Sequence, residues 1–133
     1  MDLGLEDRVA VVGGSSNGIG KAAALSLARG GASVTICGRD EAELRKAEIE
    51  IARTSTQHHV LAILADLTLM DDIKRVVRGT FNRFGRIDIA VNNMVDTPSG
   101  LPSELGDESW ENAMEQSFLS VVRMSREVIP YMK

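Results

Sequence analysis

Short apolar runs alternate along the chain with amphipathic stretches. Val9 to Val12, Ser33 to Gly38, Val60 to Ala65 and Ile87 to Val91 read as strands. Their near-continuous apolar character predicts burial on both faces of a sheet. Between them the spacing is helical. Ile19 to Arg29 is stopped by Gly30-Gly31, and a segment capped by Asp40 runs to about Arg53 with Leu44, Ala47 and Ile51 on one face. A third helix carries Ile73, Val76, Val77, Phe81 and Phe84 and stops at Gly85, with Thr68 and Asp71 as its expected capping pair. A polar, proline-bearing connection from Asn92 to Gly106 leads into one long helix from about Asp107 to Ile129. The pattern predicts an α/β class: a doubly wound parallel sheet with helices on both faces, forming a single domain over residues 1–133. Right-handed crossovers then place the first strand centrally, at the switch point where such sheets bind ligands.

Composition narrows the setting. With 133 residues, 44% of them hydrophobic, the chain can bury a real core. No run approaches the roughly 20 apolar residues of a membrane span. Met1 to Arg8 lacks the basic and apolar regions of a signal peptide, so a cytoplasmic location is expected. The one cysteine, Cys37, sits in a strand and reads as a core residue. A net charge of -4 offers no basic face for nucleic acid. Lys74, Arg75, Arg78, Arg83 and Arg86 follow Asp71 and Asp72 on one helix, which matches the helix dipole on a solvated face. His58-His59 has no Cys or carboxylate at ligand spacing, so no metal site is expected.

The chemistry lies in Gly14-Ser15-Ser16-Asn17-Gly18-Ile19-Gly20, at the joint between the first strand and the first helix. A strand turning sharply into a helix presents backbone N–H groups at a positive helix end, which suits a phosphate. The spacing is G-x-x-x-G-x-G. Asp66 ends the third strand with Leu67 beside it, Asn92-Asn93 follows the fourth, and Trp110 and Pro130-Tyr131-Met132 sit on the last helix. Together these resemble the short-chain dehydrogenase/reductase family along the whole chain. The family has a threonine where Gly13 stands, and alanine and glycine where Met94 and Val95 stand. Those two larger side chains are expected to narrow the cleft or displace the loop.

The resemblance implies a Rossmann-like fold truncated after the helix that follows the fourth strand, so that the chain is the N-terminal half of a longer reductase. It implies a dinucleotide held by Gly14, Ser16, Asn17, Gly18, Ile19, Gly20, Arg39, Asp66, Leu67, Asn92 and Met94, with Asp66 on the adenine ring. At the end of the second strand, where an acid would bind the NAD ribose, stand Gly38 and Arg39. A guanidinium there favours NADP(H), with NAD(H) as the second candidate. The implied reaction moves a hydride between the nicotinamide and a carbonyl or alcohol carbon of a small substrate.

The family's catalytic serine and Tyr-x-x-x-Lys follow the last helix, so the chain alone is expected to be inactive. Tyr131 and Lys133 are two residues apart and point about 160° away from each other at ~100° per residue, unlike a Y-x-x-x-K pair. The family's proton-relay asparagine aligns with Ser117. Met114, Phe118, Val121, Val122, Val128 and Ile129 form a broad stripe, extended by Leu119 and Met124 to a second flank, and that flank suggests a homo-oligomer through the last helix. A dinucleotide-binding or interaction module without chemistry is the alternative function. A methyltransferase is disfavoured by Gly38-Arg39 and Asn92-Asn93.

Overall fold

The computed structural model describes residues 2–54, 59–94 and 99–133. Four parallel strands, β1 (Val9–Val12), β2 (Ser33–Gly38), β3 (Val60–Leu64) and β4 (Ile89–Val91), lie in the order β3-β2-β1-β4. The chain winds outward from β1 to β3, then crosses back to place β4 on the other side of β1. That reversal puts the end of β1 at the crevice of the sheet.

Side-chain alternation along the strands feeds two cores. On one face Ala10, Val12, Val34 and Ile36 pack against α1 (Gly18–Arg29) and α2 (Glu41–Thr54), with Ala24, Ala28, Leu44, Ala47 and Ile51 fully or nearly fully buried. On the other, Val11, Cys37 and Ala65 meet Ile73, Val76 and Val77 of α3 (Met70–Phe84) and Met124 and Val128 of α5 (Ser120–Met132). Inside this second core the Thr80 hydroxyl donates to the Val76 carbonyl and is hydrogen-bonded to the Thr35 hydroxyl, so a polar residue sits on the buried face where Phe81 is expected from the sequence. Phe81 is 38% exposed and packs against Tyr131, ring centres 4.7 Å apart and planes tilted by 46°.

Three local expectations change. The Thr68–Asp71 capping pair does not form: α3 starts after Leu69, which caps nothing with its side chain, while the Thr68 hydroxyl turns back to Asp66. The final helix is not continuous α-helix. Its first turns, α4 (Asp107–Ala113), run into a π-helical segment (Met114–Leu119) before α5 begins. The apolar stripe divides accordingly. Met124 and Val128 cover the sheet with Ser120, and Met114, Phe118, Val122 and Ile129 face outward. Asp40 does cap α2, accepting the Glu43 N–H at 3.1 Å. Among the described residues no helix is long and apolar enough to cross a membrane, and no group of acidic, His and Cys side chains could hold a metal.

Candidate functional site

At the end of β1 the chain is bound down before it turns. Gly13 N–H donates to Val91 on β4, and Ser15 N–H to Cys37 on β2. The Ser15 hydroxyl, fully buried, donates to Val12 and accepts the Cys37 N–H at 2.9 Å. The Gly13 and Ser15 N–H groups and the Ser15 hydroxyl therefore brace three strands and are already paired. Cys37 is sealed beneath them, and burial pushes its thiol up to about 12 against a smaller opposing effect of the Gly14 backbone. An inert core thiol results.

Gly14 adopts a left-handed φ of 55°, and a Cβ there would collide with the Asn93 carbonyl. The Asn93 side chain returns to donate to the Gly14 carbonyl at 3.2 Å. Gly20 packs on that same Gly14 carbonyl and on the Asn93 amide, so its close approach is to the turn itself. Gly18, with φ of 57°, has nothing within 4 Å of where a Cβ would stand. Its backbone is open to an approaching group. Asn17 precedes α1 in extended conformation without a side-chain cap bond, and the first turn of α1 contains no acid, so its N–H groups and positive dipole end face outward unmatched.

A cleft of ≈ 490 Å³ opens over this turn. It brings together Gly14, Ser16, Asn17, Arg39, Asp66, Leu67 and Met94 of the residues singled out from sequence. Gly18, Ile19, Gly20, Asn92 and Ser117 do not line it. Ile19 is 79% exposed beside the turn, and Gly20 is buried under it. The Asn92 amide points to Ser125 on α5 at 3.3 Å. Ser117 lies within the π-helical segment, where its hydroxyl oxygen is buried without a hydrogen-bond partner among the described residues. Asn93, Thr68, Gln116 and Ser120 join the lining, and none of them is a site residue by the sequence motifs. For Asn93 the signal was the adjacent pair Asn92-Asn93, which could not say which member turns inward.

Met94 and Gly13 fit one another. A Cβ on Gly13 would stand 3.3 Å from Met94 Cγ and 3.4 Å from Leu67 Cδ1, so the long side chain fills space that a β-substituted residue at position 13 would occupy. Met94 packs against the second core, and Val95 lies outside the described residues, as does His58. Tyr131 is committed to Phe81 and that same core, away from the cleft.

A glycine turn at the switch point of a doubly wound parallel sheet, with an open helix end above it, defines a Rossmann-like nucleotide-binding architecture. The short chain dehydrogenase family model matches residues 8–133. The chain belongs to the short-chain dehydrogenase/reductase family of oxidoreductases. It is 34% identical over 132 residues to an uncharacterised oxidoreductase, YvrD, of Bacillus subtilis, covering 99% of this chain and 49% of that protein. The crystal structure of L-sorbose reductase from Gluconobacter frateurii, complexed with NADPH and L-sorbose, superposes with a TM-score of 0.92 at 32% identity, covering 99% of this chain and 50% of that one. An actinorhodin polyketide ketoreductase crystallised with NADPH gives a TM-score of 0.87 at 29% identity, over 94% and 47% of the two chains. The chain spans about half the length of these relatives.

Proposed function

We propose that this chain is the cofactor-binding half of an NADP(H)-dependent oxidoreductase that interconverts a carbonyl and an alcohol. The observation that carries the reading is the edge of the cleft where the end of β2 meets the glycine turn. A Cβ at position 38 would stand 2.8 Å from Ser16 Oγ and 3.0 Å from Ser16 Cβ, so an acid serving the NAD ribose would require Ser16 to shift, and glycine stands there instead. Arg39 is the cationic side chain of that rim, suited to a 2′-phosphate. Two structural relatives solved with NADPH support the choice.

The open backbone at Gly18 and the unmatched start of α1 fit a pyrophosphate, Ser16 and Asn17 line its approach, and Asp66 and Leu67 wall the adenine end. When bound, the nicotinamide supplies or accepts the hydride. Tyr131, the sole tyrosine of the sequence, is spent on packing, so residues 1–133 supply no Tyr-x-x-x-Lys pair.

Titration with NADPH and NADH tests the cofactor assignment. Replacing Arg39 with Ala is expected to weaken NADPH roughly 10-fold or more, the scale of one charge-assisted contact, and to leave NADH nearly unchanged. Equal losses for both would overturn the phosphate role. A second reading, an interaction module with no chemistry, draws on the outward stripe of Met114, Phe118 and Val122. That stripe also suits a homo-oligomer, and light scattering separates a dimer from a strict monomer.

A further inference from the structure

Between β3 and α3 the chain turns without a side-chain cap at the helix start, since Leu69 supplies none. The turn is closed from inside the helix instead. Asp72, in the first turn of α3, reaches back past the helix start, and its Oδ2 accepts the backbone N–H of Asp66 at 2.8 Å. Its Oδ1 accepts from Arg75 Nη2 at 3.2 Å, and the same Nη2 donates to the Leu64 carbonyl on β3 at 2.6 Å. Strand, turn and helix are thereby tied through one carboxylate. The Asp66 N–H holds that carboxylate below the usual range, and Arg75 adds to the effect, so Asp72 is an ionised acceptor at neutral pH.

Asp66 divides its own carboxylate. Oδ1 accepts the Thr68 N–H at 3.0 Å and the Thr68 hydroxyl at 2.7 Å, and neither bond uses Oδ2. Asp66 lines the cleft and Asp72 does not. The two aspartates thus have separate jobs: one at the wall, one behind it. Loss of the Asp72 acceptor would leave the part-buried Asp66 N–H unpaired, and the cheapest relief is rotation of that peptide toward water, which carries the Asp66 carboxylate with it.

We propose that Asp72 is a positioning residue for purine recognition: its Arg75-braced carboxylate fixes the Asp66 backbone so that Asp66 Oδ2 faces the exocyclic amine of a bound adenine. This rests on the dinucleotide reading above. The selected ligand chemistry is a purine with an amino donor at position 6, and a carbonyl there would meet the carboxylate acceptor to acceptor.

The test compares NADPH with its hypoxanthine analogue, in which a 6-oxo group replaces the 6-amino group, by fluorescence titration of wild type, Asp72→Ala and Asp72→Asn. Wild type is expected to prefer NADPH by about tenfold, the scale of one hydrogen bond to a charged group. Asp72→Ala should bring the two ligands to within about twofold, by weakening NADPH alone. Asp72→Asn keeps one acceptor oxygen and should restore part of the preference; it also serves if the alanine variant does not fold. Equal weakening of both ligands, or an unchanged preference in both variants, overturns the positioning role while the dinucleotide reading stands. A wild type that binds both ligands equally overturns the Asp66–adenine contact and this inference with it, and a wild type that binds neither overturns the dinucleotide reading itself.

Discussion

Gly20→Ala sets two physical effects of opposite sign against each other. Residue 20 lies in the first turn of α1, where alanine is favoured over glycine by about 1 kcal/mol on helix propensity alone. The structure opposes this. The added methyl would collide with the Gly14 carbonyl oxygen, stand 2.8 Å from the Gly14 carbonyl carbon and lie 2.7 Å from Asn93 Nδ2. Two of those atoms are backbone and cannot swing aside, so α1 must move off the turn. Overpacking of this kind costs ~1–3 kcal/mol, and the Asn93–Gly14 hydrogen bond, worth about 1 kcal/mol, is lost with it. A net destabilisation of about 2 kcal/mol follows, which for a chain of this size is a fall in Tm of roughly 6–10 °C. Thermal unfolding followed by circular dichroism measures it directly. A Tm equal to or above that of wild type would refute the reasoning, because propensity would then have prevailed over contact.

Two further outcomes concern stability and reactivity. Asp88 accepts the Val9 N–H at 2.9 Å and a two-pronged contact from Arg86, and these hold its carboxyl below the usual carboxylate range, Arg86 most strongly. A depressed folded pKa stabilises above the unfolded value and is lost as pH falls, so urea midpoints should drop below about pH 4, and Asp88→Asn should flatten that decline. An unchanged acid limb in the variant would remove Asp88 from the account. Cys37, fully buried with its thiol pushed up to about 12, should resist a disulfide reagent at pH 8 in the native protein and react only on unfolding. Rapid native labelling would show that the turn above it opens.

Much of the architecture was legible in the order of apolar runs, because strands buried on both faces and helices buried on one carry different periodicities. Val9 to Val12, Ser33 to Gly38 and the helix after Asp40 lie where those patterns put them. The π-helical segment did not show, because over six residues an apolar stripe fits an α or a π period equally well and packing decides. Ser120 is fully buried and its hydroxyl accommodates the altered turn by donating to the Gln116 carbonyl. The capping of α3 departs from the sequence pattern for a related reason. Thr68 and Asp71 stand at capping spacing, but Asp66 takes the Thr68 hydroxyl and the next acid along, Asp72, reaches the turn. Within the cleft, Gly14 and Asp66 are legible as unusual residue types at strand ends. The inward Asn93 and the exchange of bulk between Gly13 and Met94 depend on which way a loop side chain turns, which spacing does not encode.

In the proposed complex a dinucleotide lies over the glycine turn with its adenosine end between Arg39 and Asp66. Amide chemical-shift mapping of the protein with NADPH tests it most directly. The account predicts the largest shifts at Ser16, Asn17, Gly18, Arg39 and Asp66, with the outward stripe of Met114, Phe118 and Val122 unmoved. Shifts confined to that stripe, or none at saturating NADPH, would contradict it.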